Sequence, residues 1–284
     1  MLSFSPIVFV NGVEDAPISP LDRGFAYGDG VFETMAMRGG HLPLLKWHYR
    51  RLRHSCDRLG IKFDQLELEQ QLAQVLFAAS QQDITDAVVK LIITRGVGGR
   101  GYAIPDVAET TLCIIIVPPP ANFLKTNKTA LNLFLCEHRL GRNKHLAGLK
   151  HLNKLEYVLA RAEWQDENFS EGLLRDSQGW VVEGTSSNVF IVVDKVLLTP
   201  LVNHCGVAGV MRNCIIEHLA PFIARDVKEL ELTLDDIKQA DEIFMCNSVM
   251  GIRPVESLED CRWGSGLVTE ELQQGLASLL AAKL

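Results

Sequence analysis

Apolar residues along the chain fall into two patterns. Short β-branched runs are bounded by turn residues, and longer stretches carry the 3.6-residue period of an amphipathic helix. Ile7–Val10 is a run of the first kind, and the Asn11-Gly12 pair after it favours a tight hairpin turn. Leu45, Tyr49, Leu52, Cys56 and Leu59 follow the helical period, with Gly60 placed as a stop. Residues 87–95 and 110–117 predict strands. Pro118, Pro119 and Pro120 then interrupt the chain, since proline offers no backbone N–H. Beyond them, 131–136 predicts a strand and 149–164 an amphipathic helix with Lys150 in its first turn. Residues 172–175, 180–183 and 188–193 predict strands, joined by polar turns at 176–179 and at Asp194-Lys195. Residues 209–224 are helical by pattern and 242–246 form another strand.

Strands outnumber helices and their connections are mostly hairpin-like, which indicates an α+β protein and excludes a doubly wound parallel sheet. The proline break predicts a small N-terminal domain over 1–119, a linker over 120–127 and a larger C-terminal domain over 128–284.

Composition narrows the function. A chain of 284 residues buries a core without a disulfide or metal staple. Its net charge of −7, with 28 scattered basic residues, excludes a partner held by phosphate neutralisation, so no nucleic acid is expected. Seven cysteines with no C-x-x-C pair suit a reducing compartment. No apolar run approaches the ~20 residues of a membrane span, and the N-terminus has no secretory pattern. A cytoplasmic location follows as the expectation.

Several motifs need weighing. The run from Gly96 to Gly101 has G-x-G-x-x-G spacing, but Pro105 interrupts the helix that a dinucleotide site requires there. No phosphate-binding P-loop, no nucleophile elbow and no zinc spacing occurs, so no metal is expected. Thr185, Ser186 and Ser187 read as turn chemistry. Arg50 and Arg51, beside the apolar stripe of the first helix, read as solvated charge. Lys150 either snorkels or, if desolvated, serves as a base or imine-forming amine. Glu183 ends an apolar strand, as an edge charge or as a buried partner for a ring nitrogen. The Gly209-Val210-Met211-Arg212 stretch starts a helix whose free N–H groups suit phosphate. A lysine, a carboxylate, an arginine and a helix start are the parts of a pyridoxal phosphate site, although pattern alone does not join them.

Longer motifs do join them. D-R-G-F-A-Y-G-D-G-V-F-E from Asp22 and E-G-T-S-S-N-V-F from Glu183 resemble the two signatures of the fold-type IV pyridoxal-phosphate enzymes. That group includes D-amino-acid and branched-chain aminotransferases and 4-amino-4-deoxychorismate lyases. The resemblance runs from Phe9 to Val255. The segment L-G-R-N-K-H-L-A-G-L-K-H-L-N-K-L-E, residues 140–156, and the loop around Gly96–Gly101 are similar to the lyases in particular.

The resemblance implies a small N-terminal lobe and a larger lobe with a barrel-like sheet, pyridoxal 5'-phosphate as cofactor, and a homodimer. It implies release of pyruvate from 4-amino-4-deoxychorismate to give the folate precursor 4-aminobenzoate, the substrate coming from aminodeoxychorismate synthase. Its alternative is a D-amino-acid or branched-chain aminotransferase. Lys150 matches the lysine that takes the cofactor aldehyde, and Thr34 lies at a position beside it. Glu183 matches the carboxylate at the pyridine nitrogen, with Asn188 in the same signature. Arg51 rather than Arg50, the amides of Val210 and Met211, and Ser248 match the phosphate site. Arg100 and Arg142 are candidates for the substrate carboxylates.

Overall fold

The computed structural model describes residues 4–99, 101–120, 123 and 129–281. Arg100 lies outside them, as does the expected linker apart from Pro120 and Phe123. The chain divides into two compact units, Met1–Phe123 with Lys150–Asn153, and Leu124–Leu149 with Lys154–Leu284.

The first unit holds strands β1 (Ile7–Val10), β2 (Val13–Glu14), β3 (Gly30–Met37), β4 (Ala87–Thr94) and β5 (Thr111–Val117). They form one antiparallel sheet in the order β2-β1-β5-β4-β3. Its helices are α1 (Arg23–Tyr27), α2 (Leu45–Leu59) and α3 (Gln65–Ser80). Leu52 and Cys56 of α2 and Leu68, Leu72 and Val75 of α3 bury against Met35, Val89, Leu91, Ile114 and Ile116 of the sheet. The helical spacing of these residues puts them on one stripe of each helix, which is why both helices lie on the sheet. Gly60 ends α2 at φ 62°, in the left-handed region where glycine is unstrained. Arg95, just past β4, donates to the carbonyls of Leu59 (2.8 Å) and Gly60 (2.7 Å) and to Asp29 (2.8 Å from Nε). The end of α2 is thereby tied to the sheet.

Residues 150–152 were expected in a helix and are not. The amide of Phe32 donates to the Lys150 carbonyl and the amide of Leu152 to the Gly30 carbonyl, both at 3.0 Å. Backbone groups committed to β3 cannot also close helical turns, so the helix begins only at Leu155. Of the helix expected over 149–164 the structure forms Leu155–Arg161; the part that carries Lys150 and the last three residues are not helical.

The second unit contains β6 (Leu131–Leu140), α4 (Leu155–Arg161), β7 (Glu171–Asp176), β8 (Val181–Gly184), β9 (Asn188–Val193) and β10 (Val196–Pro200). There follow α5 (Val210–Cys214), a π-helical turn (Ile215–Leu219), α6 (Ala220–Phe222), β11 (Val227–Leu230), α7 (Leu234–Lys238) and β12 (Glu242–Asn247). The last elements are β13 (Gly251–Leu258), β14 (Cys261–Arg262) and α8 (Leu267–Ala281). The sheet runs β11-β10-β9-β12-β13-β6-β7-β8, with β14 beside β13. It is mixed, β6 being parallel to both β13 and β7. Ala160 of α4 and Trp164 pack with Cys136, Leu140, Leu174 and Val182 over one part of it.

Gly30 gives a test of how closely the Lys150–Asn153 segment packs on β3. A Cβ there would stand 2.6 Å from the Ile93 carbonyl oxygen and 2.8 Å from Leu152 Cδ1. Gly30→Ala is therefore expected to destabilise the protein by about 1–3 kcal/mol, as overpacking does. Equilibrium urea unfolding of the variant beside the wild type measures it.

Candidate active site

In the first unit the chemistry gathers around a buried carboxylate. Glu33 lies on β3, and His48 and Arg51 lie one turn apart on α2. His48 Nδ1 is 2.6 Å from Glu33 Oε2, and Arg51 Nε donates to Oε1 at 2.8 Å while its Nη2 donates to Oε2. All three side chains are buried. Burial pushes the Glu33 carboxyl up, but the Arg51 guanidinium and His48 outweigh it and bring it down to about 2. Since an ionised carboxylate only accepts, the hydrogen between it and His48 sits on Nδ1. Burial lowers the His48 pKa; Glu33 opposes this, while Arg51 and Lys150 add to it. Lys150 thus belongs to the same electrostatic neighbourhood.

Lys150 is half-buried, its Nζ 4.3 Å from the centre of the Phe32 ring. Thr34 is two residues beyond Phe32 on β3 and so shares its face of the strand. Arg50 points away from this chemistry: it is exposed and its guanidinium stacks 4.6 Å from the Trp47 ring centre. The structure thereby separates the two arginines, leaving Arg51 as the buried, oriented cation.

In the second unit the focus is Glu183, at the end of β8 and only 3% exposed. Its Oε1 accepts from the Tyr157 phenol at 2.6 Å. Its Oε2 accepts from Asn188 Nδ2 and from the Val207 amide, both at 3.0 Å. Asn188 also donates to the Val207 carbonyl at 2.9 Å, which locks the amide orientation. Gly209 precedes Val210 and Met211 at the start of α5, and a Cβ on it would come 1.9 Å from Asn188 Oδ1. Only glycine permits that approach of the helix start to β9. Ser248 is half-buried in the turn after β12, where Asn247 Oδ1 accepts from the amides of Val249 (2.9 Å) and Met250 (2.7 Å).

Thr185, Ser186 and Ser187 prove to be more than turn residues. Their three hydroxyls all donate to the buried carboxylate of Glu171, Ser186 at 2.6 Å and Ser187 at 2.8 Å. The Thr185 and Gly172 amides add bonds of 3.0 Å to the same group. Glu171 thus fixes the loop that joins Glu183 to Asn188. Arg142 donates to Asp176 and to Gln178, each at 2.8 Å, with Glu231 3.6 Å away. Among the described residues no cluster of three or more His, Cys, Asp or Glu could hold a metal ion.

The profile of the amino-transferase class IV family matches residues 30–258, from the start of β3 to the end of β13. The chain belongs to the class IV aminotransferase family. It is 36% identical to the aminodeoxychorismate lyase of Vibrio harveyi, over 88% of this chain and 90% of that one. It is 34% identical to a Methanocaldococcus jannaschii protein whose proposed name is branched-chain-amino-acid aminotransferase, over 89% of this chain and 88% of the other. The crystal structure of 4-amino-4-deoxychorismate lyase from Pseudomonas aeruginosa superposes with a TM-score of 0.89 at 43% identity, covering 96% and 98% of the two chains. The fold is accordingly that of the fold-type IV enzymes.

Within this class IV chain, Glu33 closes the first motif without being given a role there, and His48, Tyr157 and Glu171 lie outside the motifs. Glu33 had one legible signal: a lone acid in an apolar strand, with a histidine and an arginine at i and i+3 of the next helix. Tyr157 and Glu171 had none, because no local pattern pairs them with the Glu183–Asn188 stretch to which they bond.

The Glu33 cluster sets a pH dependence. Its carboxyl titrates at about 2 when folded against an ordinary 4.5, so its stabilisation is complete above about 4.5 and is lost as the pH falls toward 2. Glu33→Gln should flatten the stability–pH curve in that window and destabilise the protein at neutral pH by about 3–5 kcal/mol, since Arg51 is left buried without its carboxylate. Urea unfolding at several pH values between 3 and 7 measures both effects.

Proposed function

We propose that the protein is a pyridoxal-phosphate-dependent carbon–oxygen lyase that eliminates pyruvate from 4-amino-4-deoxychorismate and leaves 4-aminobenzoate, a folate precursor. The observation that carries this reading is the segment 140–156, lyase-like in sequence and closed on itself: the Glu156 carboxylate accepts from the Gly141 amide at 2.8 Å. Lys150 lies inside it, and relatives at 36% and 43% identity are lyases.

The residues present fit the cofactor. A dianionic phosphate needs cations and free amides, and Arg51, the Val210 and Met211 amides and Ser248 are assigned to it. A protonated pyridine nitrogen needs an anion that stays ionised though buried, and Glu183 with its three donors meets that need. Asn188 belongs to the same assignment through its bond to Glu183. Lys150 is the amine for the aldehyde. When bound, pyridoxal phosphate supplies an electron-withdrawing ring that stabilises negative charge on the carbon bearing the substrate's amino group.

The rest falls to the protein. Lys150 Nζ removes the proton from that carbon, and the C–O bond to the neighbouring enolpyruvyl group breaks with its electron pair leaving on oxygen. The Lys150 ammonium is the proton donor for the departing group, which leaves as pyruvate. The ring left behind is aromatic, so the elimination is strongly downhill and needs no keto-acid acceptor. Thr34 is the second catalytic assignment, beside the lysine. Arg100 and Arg142 are assigned to the substrate's carboxylates, and Asp176 already orients Arg142.

A homodimer is part of the reading. In the first unit Leu21, Phe25, Tyr102, Ile104 and Val107 are each more than half exposed, with Phe25 at 78% and Tyr102 at 84%. Exposed apolar groups of this size favour a protein partner. An aminodeoxychorismate synthase supplies the small-molecule substrate. All seven cysteines are free thiols, which supports a cytoplasmic setting. No described helix is long and apolar enough to cross a membrane.

The test is turnover of 4-amino-4-deoxychorismate, generated by a coupled synthase, with no keto acid present. Pyruvate and 4-aminobenzoate are expected in equal amounts; if product forms only when a keto acid is added, the protein is an aminotransferase. Lys150→Ala should lower the rate by about 10³-fold or more, through loss of the proton-transferring group. Glu183→Gln should keep some bound cofactor and lose roughly a hundredfold in rate. Steady-state kinetics with cofactor absorbance checks both.

A further inference from the structure

We propose that Tyr157 is a positioning residue that fixes the plane of the Glu183 carboxylate toward the cofactor's pyridine nitrogen, acting through its phenol on Glu183 Oε1. The inference rests on the reading of Glu183 given above. Tyr157 stands in the first turn of α4, turned inward, while its neighbours Leu155, Val158 and Leu159 are exposed. Asn188 and the Val207 amide both hold Oε2. The terminal torsion of a glutamate is broad and its rotation swings both oxygens, so the donors on Oε2 restrain it from one side. The Tyr157 bond of 2.6 Å holds Oε1 and adds the restraint on the opposite side.

A phenol suits the task electrostatically. An arginine there would neutralise the carboxylate, as Arg51 does for Glu33, and weaken its hold on a cationic ring N–H. Burial and the adjacent Glu183 carboxylate keep the Tyr157 phenol well above its ordinary pKa, so it remains a neutral donor.

The experiment is a double-mutant cycle read on cofactor binding, with pyridoxal 5'-phosphate titrated into apoprotein and followed by absorbance. Tyr157→Phe is expected to weaken affinity about tenfold when Glu183 is present, the loss of part of a charge-assisted bond. In the Glu183→Gln background the same substitution should change affinity less than about twofold, because the group it acts through is gone. The pH midpoint of the bound cofactor's absorbance should follow the same rule, moving in the first background and staying in the second.

An equal loss in both backgrounds would mean a merely structural tyrosine and overturns the proposal, as does unchanged affinity in Tyr157→Phe alone. If Glu183→Gln by itself leaves affinity and absorbance at wild-type values, the Glu183 reading fails and the proposal with it. If Glu183→Gln weakens binding and Tyr157→Phe does not, only the role of Tyr157 falls. 3-Fluorotyrosine placed at 157 keeps the shape of the residue and strengthens the donor. It should move the absorbance midpoint opposite to Tyr157→Phe, and any other result counts against the proposal.

Discussion

Two backbone hydrogen bonds decide where Lys150 sits. Sequence pattern favours a helix through this stretch, and a helical Lys150 would turn with the helix axis. Instead its carbonyl accepts from Phe32 and the Leu152 amide donates to Gly30, so the segment docks on β3 like a short extra strand. Register on a strand is strict, since a slip of one residue reverses every side chain. The pairing of Val31 with His151 fixes that register, and the Lys150 ammonium stays beside the Phe32 ring. The chain thus commits the start of an amphipathic sequence to non-helical geometry, and the helix begins only at Leu155.

Within each unit, buried carboxylates are stabilised in different ways, and the difference matters for chemistry. Glu33 is paired with Arg51 and His48, which makes it strongly acidic and holds Arg51 rigid. Glu183 is hydrogen-bonded by a phenol, a side-chain amide and a backbone N–H. Glu171 collects hydroxyls and amides from the loop between Glu183 and Asn188. The first arrangement suits a group whose task is to orient a cation. The second suits one that must remain an anion available to a positively charged partner, because neutral donors stabilise charge without cancelling it.

How much of this was legible follows from range. The hairpin at Asn11-Gly12, the α2 stripe ending at Gly60 and the strands now called β4, β5 and β9 are local patterns, and local physics reproduces them. β3 was not legible as a strand, because Glu33 and Thr34 interrupt its apolar run and only the α2 partners make Glu33 a buried residue. The stretch 149–164 was half legible, since its first part answers to β3 rather than to its own period. Among the candidate site residues, Lys150, Glu183 and Arg51 came from motif likeness. Pattern alone read Arg51 as surface charge, and its burial depends on Glu33, eighteen residues away. Tyr157 and Glu171 needed the fold itself.

The glycine-rich run after β4 shows the same limit from the other side. Its spacing imitates a dinucleotide loop, whose glycines let amides approach phosphate at a helix start. Here Gly96, at φ 84°, admits the Glu109 carbonyl, which a Cβ would meet at 1.7 Å. Gly98 makes room for the Arg23 side chain, whose Cδ would lie 2.5 Å from a Cβ. Arg23 then donates to the carbonyls of Gly101 (3.2 Å), Tyr102 (3.3 Å) and Ala103 (3.1 Å). A loop that turns three carbonyl oxygens toward a cation presents the opposite polarity from one built to cradle an anion. Gly96 and Gly98 thus serve packing, Gly98 against the arginine, whereas a Cβ at Gly99 or Gly101 would meet nothing within 4 Å.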